Sequence, residues 1–171
     1  MKNLKVIFED NHIIVVEKQP NIPSQSDKTG DEDMLTLVKE YIKEKYNKPG
    51  NVYLGLVHRL DRPVGGVMVF ARTSKAASRL SEQVRQKIFK KKYLAVVDGK
   101  VKNKKGTLED YLYKDERNNI SKVVSKEKKN SKLARLDYEV LTYNFIKCKF
   151  FRLKVKNFSI YTMYPLVLAN L

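Results

Sequence analysis

Two stretches of this chain space their apolar residues as a helix does, and the remaining apolar positions fall into short strand-like runs. Lys5–Phe8 and Ile13–Glu17 read as strands separated by Glu9-Asp10-Asn11-His12, a polar cluster in which His12 is a turn residue. Residues 24–33, rich in Ser, Asp, Thr and Gly, predict a loop leading into a helix from about Met34 to Tyr46. Met34, Leu37, Val38, Tyr41 and Ile42 share one face of it, and Lys48-Pro49-Gly50 ends it. An apolar run over 66–71 predicts a strand. A second helix is predicted from about Lys75 to Ile88, capped by Ser74 or Thr73, with Ala77, Leu80, Val84 and Ile88 as its buried stripe. Further strands are predicted near 93–97, 107–112, 121–125, 134–141 and 145–156. In the last, the apolar set changes parity from Ile146, Cys148 and Phe150 to Phe151, Leu153 and Val155, which predicts a bulge. Strands outnumber helices and do not alternate with them. The fold class is therefore α+β, with a few helices flanking a mixed, largely antiparallel sheet. No internal repeat is visible, and the lysine-rich stretch 122–132 is expected on a hairpin or mobile loop.

Composition bounds the possibilities. A chain of 171 residues, 42% hydrophobic and 10% aromatic, suffices for one globular domain with its own core, and a monomer is expected. The single Cys148 cannot close an internal disulfide and lacks the Cys/His spacing of a zinc site, so neither a disulfide framework nor a bound metal is expected. With no long apolar run and no leader-like N-terminus, the expected location is the cytoplasm, without a membrane partner.

Charge is unevenly spread. The chain has 35 Lys+Arg against 19 Asp+Glu, but residues 1–58 carry eight basic and nine acidic side chains. From Arg59 onward there are 27 basic and ten acidic, a net +17. Arg85, Lys87, Lys90, Lys91 and Lys92 form one cluster, and Lys122, Lys126, Lys128, Lys129 and Lys132 another. Such clusters suit a polyanion such as nucleic acid, and equally a solvated lysine-rich face.

The positive half begins at Val57-His58-Arg59-Leu60-Asp61-Arg62-Pro63-Val64-Gly65-Gly66. Arg59 and Arg62 flank Asp61 and would favour its charged form if they approach it. A solution aspartate, with a pKa near ~3.9, is ionised at neutral pH without help. The arginines thus matter more for positioning the carboxylate and attracting a polyanion to it. Pro63 and Gly65-Gly66 place Asp61 on a loop that permits a tight turn or close approach by another chain. On charge pattern alone the run also reads as a surface turn holding a local Arg–Asp pair.

His58-Arg59-Leu60-Asp61, with Gly66 and the strand-closing Ala71, resembles the HRLD signature of the RluA-type pseudouridine synthases. Three further pieces follow the family's order: Val15-Val16-Glu17-Lys18-Gln19-Pro20 resembles its early strand ending in Lys-Pro, Ala76 to Leu80 its following helix, and Lys92-Tyr93-Leu94-Ala95-Val96-Val97-Asp98-Gly99 its K-x-Y-x-A-x-V-x-G segment. The resemblance covers roughly residues 4 to 156. It implies that Asp61 is the catalytic aspartate, that Arg59 enters the RNA helix in place of the extruded nucleotide, and that Tyr93 stacks on the flipped uracil. His58 and Arg62 are further substrate-binding candidates. Where the family usually shows Thr-Ser, this chain has Val64-Gly65.

The implied reaction breaks the uridine N1–C1′ bond, turns the base and rejoins it through C5, in ribosomal or transfer RNA. It is redox-neutral and needs no cofactor. Leaving the stack costs a few kcal/mol in a duplex, and an aromatic face returns roughly 1–3 kcal/mol per base. Attack on C1′, attack on the ring and proton abstraction from C2′ all remain open for Asp61. Without the resemblance, Tyr93 also reads as a core aromatic of its strand.

Beyond Lys156 the resemblance stops. The family continues with a G-R-x-H-Q-I-R-like segment whose first arginine pairs with the catalytic aspartate, whereas residues 157–171 carry no charge in a chain that is 32% charged. Residues 1–156 are thus expected to form a partial catalytic domain and 157–171 an atypical tail, from a shifted frame, an early stop or a diverged C-terminal strand. No S4-like RNA-binding domain is expected before it. The alternatives to an active enzyme are a catalytically inactive RNA-binding remnant and a basic protein without RNA specificity.

Overall fold

Lys5–Glu9 (β1) and Ile13–Lys18 (β2) pair as an antiparallel hairpin. Asp10 makes its turn: the carboxylate accepts from the backbone N–H groups of His12 and Ile13, each at 2.7 Å. His12 is the turn residue expected. The strict alternation of β2 then decides its inner face, because Ile14, Val16 and Lys18 are all fully buried. The structure, a computed structural model, describes residues 4–98, 102–115, 117, 120–143 and 148–155. Gly99 and the uncharged stretch 157–171 lie outside the described residues.

The chain divides into two compact units, Met1–Ile88 and Phe89–Leu171. In the first, Met34–Lys45 (α1) starts where Asp33 accepts from the backbone N–H of Thr36 at 3.1 Å. Met34, Val38 and Ile42 on α1 pack with Ile14, Val16, Leu54, Met68 and Phe70 in one core. Gly55–Leu56 (β3) and Gly66–Ala71 (β4) complete a four-stranded sheet of order β1-β2-β4-β3. The predicted strand 66–71 stands; β3, two residues long, is too short to show a period.

Ser74–Arg85 (α2) is capped by Thr73, whose hydroxyl accepts from Ala76 N at 3.1 Å. Its predicted stripe is corrected: Ala76 is buried, Leu80 and Val84 are only half-buried, and Ile88 lies beyond the helix, exposed. Small residues let this helix lie close to the sheet at one end. A side chain at Gly55 would come within 2.9 Å of the Ala77 methyl and 3.3 Å of the Ala71 methyl.

The second unit is a five-stranded sheet made of Lys91–Asp98 (β5), Lys105–Asp115 (β6), Ile120–Val124 (β7), Lys132–Tyr143 (β8) and Cys148–Val155 (β9), in the order β5-β9-β8-β6-β7. Along β8, buried Ala134, Leu136 and Tyr138 alternate with exposed Arg135 and Glu139. The Tyr138 ring lies over Gly106 on β6, where an added methyl would meet it at 2.7–2.8 Å.

The α+β class holds, with the strands shared between two sheets and every described pairing antiparallel. The bulge is relocated: β9 pairs with β5 without interruption, and the register shift falls between Val140 and Thr142 of β8, opposite Phe151 and Phe150. Parity in one strand reports an irregular ladder without saying which strand holds the extra residue. The lysine-rich loop 125–131 connects β7 to β8, which both pair with β6, so it does not close a hairpin between them.

Candidate active site

Beyond Leu56 the chain leaves the sheet, and the loop 57–65 returns it to β4. His58 bridges the gap: its Nε2 accepts from the backbone N–H of Val69 at 3.0 Å. An accepting Nε2 carries no proton, so this geometry belongs to the neutral imidazole protonated at Nδ1. The ring thus gives the β4 edge an acceptor where β3 has ended.

Asp61 opens a turn closed by Val64 N–H on the Asp61 carbonyl at 3.0 Å. Four residues from the start of the chain hold that turn. Lys18, fully buried, donates from Nζ to the carbonyls of Gln19 (3.2 Å), Arg62 (3.0 Å) and Val64 (2.5 Å). Burial pushes its pKa down, and the Asp61 charge works against that fall. Asn21, at φ +69°, donates its N–H to the Arg62 carbonyl at 2.7 Å. Ser24, also buried, bonds Leu60 through both of that residue's backbone groups. Pro20 packs beside Gly65, where an added methyl would lie 3.0 Å from its ring.

The two glycines do what the sequence asks of that position. Gly65 permits the close approach, and Gly66, at φ +147°, takes a backbone conformation that side chains disfavour.

The structure brings His58, Arg59, Asp61 and Arg62 onto this one loop, with Asp61 half-buried and Arg59 exposed. Arg62 reaches to the loop before α1, donating to Thr29 Oγ1 at 3.1 Å and Asp31 Oδ2, with Asp27 at 3.8 Å. Its hydrogen bond is the largest reason the Asp31 carboxyl lies below its ordinary range. Tyr93 is half-buried on β5 of the second unit, with Leu153 of β9 as its register partner. Among the described residues no cluster of His, Cys, Asp or Glu could hold a metal, and no helix is long and apolar enough to cross a membrane.

The model for the RNA pseudouridylate synthase family matches residues 12–165. The chain belongs to that family. The match spans the whole signature loop and bears out the RluA-type resemblance. This family member is 31% identical to ribosomal large subunit pseudouridine synthase C of Buchnera aphidicola subsp. Baizongia pistaciae, over 86% of this chain and 43% of that one. It is 30% identical to tRNA pseudouridine synthase C of Haemophilus influenzae, over 81% of this chain and 55% of that one. It therefore spans about half the length of these curated relatives. Among solved structures, human RNA pseudouridylate synthase domain containing 4 superposes with a TM-score of 0.72 at 20% identity, covering 88% of this chain and 58% of that one. That likeness shows the fold.

Sequence reasoning passes over Lys18, Asn21 and Ser24 as site residues. A signal exists for Lys18, which takes the inward parity of Ile14 and Val16; a buried lysine needs a reason. Ser24 stands in a Ser/Asp/Thr-rich run that reads as solvated loop.

Proposed function

We propose that this protein is an RNA pseudouridine synthase that isomerises specific uridines in ribosomal or transfer RNA, with Asp61 as its catalytic carboxylate. The observation that carries the reading is a half-buried aspartate on a loop pinned by buried residues from far along the chain. Catalysis asks for a carboxylate held in a defined place, and that loop provides it. Arg59, exposed two residues before Asp61, would fill the stack vacated by the flipped nucleotide. Tyr93 would offer its ring to the uracil. Arg62 would act chiefly by tying the loop 27–31 to the site, and His58 by holding the signature against β4.

Isomerisation moves a glycosidic bond from N1 to C5 of the same base, so atoms and electrons balance within the substrate and neither cofactor nor metal is called for. The relatives' names give the substrate class, ribosomal or transfer RNA, and the net +17 from Arg59 onward suits it. A cytoplasmic monomer, with residues 1–156 as the catalytic portion, fits this reading.

The test is Asp61→Asn in the full chain, assayed on defined ribosomal and transfer RNAs. Pseudouridine formation should fall by at least ~10³-fold, while RNA affinity stays within about threefold of the parent. Pseudouridine still formed at the parental rate would overturn the assignment of Asp61.

A further inference from the structure

Ser24 lies 37 residues ahead of Asp61 and touches the signature at the backbone of Leu60. Its Oγ donates to the Leu60 carbonyl at 2.6 Å and accepts from the Leu60 N–H at 3.1 Å. Those two groups belong to different peptide planes: the N–H to the one joining Arg59 to Leu60, the carbonyl to the one joining Leu60 to Asp61. A single hydroxyl therefore fixes the planes on both sides of Leu60. We propose that Ser24 is a positioning residue for the isomerisation, setting the directions in which Arg59 and Asp61 leave the backbone. This inference rests on the function proposed above.

Three observations support it. Ser24 is held in its own right, because the carbonyl of neighbouring Pro23 accepts from Met34 N at 2.9 Å, at the first residue of α1. The side chains on either side of the contact, Ile22 and Leu60, both pack against the core of the first unit, so neither loop segment of the contact can slide freely. The hydroxyl is buried, with the Met68 sulfur at 3.7 Å, which directs it inward to the protein.

The chemistry of the position is demanding. Among small side chains a hydroxyl can donate and accept at once; a thiol does both weakly and a methyl does neither. Removing it strands a half-buried N–H and a half-buried carbonyl, which relax by turning the two planes. A displacement of about 1 Å at a reacting carboxylate is enough to cost about 10²-fold in rate.

The test compares Ser24→Ala, Ser24→Cys and Ser24→Thr in the full chain, with two readouts. The first is hydrogen exchange at the Leu60 amide, followed by NMR. The second is kcat and KM on a defined RNA. Ser24→Ala should speed Leu60 exchange and lower kcat by about 10–100-fold while KM moves less than about threefold. Ser24→Cys should fall between, and Ser24→Thr, which keeps the hydroxyl, should recover most of kcat. Thermal stability is measured on all three, so that a kcat that tracks stability across the series instead of the presence of the hydroxyl overturns the proposal. So does a Ser24→Ala kcat within twofold of the parent. Should the parent chain itself isomerise no uridine, the proposed function fails; unchanged Leu60 exchange in Ser24→Ala then separately removes the anchoring role.

Discussion

Two charged loops of this chain, the signature loop and the lysine-rich loop, are built in opposite ways. The signature loop 57–65 is bonded to residues 36, 44 and 46 positions away, through Ser24 and Lys18. The lysine-rich loop 125–131 is bonded to itself: Lys128 N–H to the Ser125 carbonyl, Ser131 N–H to the Lys128 carbonyl, and Ser131 Oγ to the Lys126 carbonyl, all within five residues. Beyond itself it reaches to β6, with Lys128 Nζ over the Tyr113 ring at 5.3 Å. The difference follows from what each loop would do. A carboxylate that must meet one atom of a substrate needs an over-determined backbone, whereas phosphates attract positive charge over a Debye length, about 8–10 Å in physiological salt.

The strongest way to break this comparison is Lys18→Met. Three carbonyls would lose the ammonium, at roughly 1–3 kcal/mol for each one left without a donor; that of Arg62 keeps the Asn21 N–H, and the removed cost of burying an ammonium is a further partial offset. A net loss of about 3 kcal/mol in urea unfolding is expected, with lower kcat in the protein that remains folded. A loss below about 1 kcal/mol would mean that the pinning is nominal and that the two loops differ less than their geometry suggests.

Gly66→Ala tests the same loop from its other end. At φ +147° an alanine is strained by its backbone conformation alone, since the nearest neighbour of its methyl, Leu60 Cδ1 at 3.5 Å, is at ordinary contact distance. The expected cost is about 2 kcal/mol, with kcat falling and RNA affinity nearly unchanged. If affinity and kcat fall together, the loop is shaping RNA binding as well as chemistry.

Much of this loop is legible in the sequence, and what is not follows from how each residue is read. Pro63 by its fixed φ, and Gly65 and Gly66 by their conformational freedom, announce a turn, so the loop and the strand after it come out at the right residues. Lys18 and Ser24 are of residue types ordinary at a surface, and their buried role exists only through partners 36 to 46 positions away. Periodicity finds a strand but not its neighbour, which is why the helices and most strands are visible while their sharing between two sheets is not. Tyr93 is identified by resemblance, since an aromatic in a strand reads equally well as core.

A third prediction carries the contrast to ion pairs. In the first unit Glu9 gathers Tyr41, Lys45, Tyr46 and Arg72 at 2.7–3.1 Å, tying β1 and the residue after β4 to α1. In the second unit Lys105–Glu139 and Arg135–Glu109 are exposed pairs, of a kind worth little. Burial pushes the Glu9 carboxyl up, but hydrogen bonds from Lys45, Tyr46 and Tyr41 bring it below its ordinary value of 4.5. The unfolded chain therefore takes up this proton first. Stability from Glu9 is complete above pH 4.5 and is lost as pH falls through the lowered folded value. Glu9→Gln should cost about 1–2 kcal/mol at pH 7 and flatten the acid limb of the unfolding profile. Glu139→Gln, the control in the second unit, should leave that limb unchanged.

The smallest expected effect is the most pointed for the comparison. Replacing Lys126, Lys128 and Lys129 together by Gln removes three charges from a loop that is bonded mainly to itself, so stability should move by no more than about 0.5 kcal/mol. RNA affinity should weaken by about fivefold at 100 mM salt, and the slope of log affinity against log salt should shrink by up to about 2, as for three lost phosphate contacts. The rate at saturating RNA should stay the same, because nothing that orients Asp61 has been touched. An unchanged salt slope would place this loop away from the RNA, and a lower saturating rate would show it to be coupled to the signature loop after all.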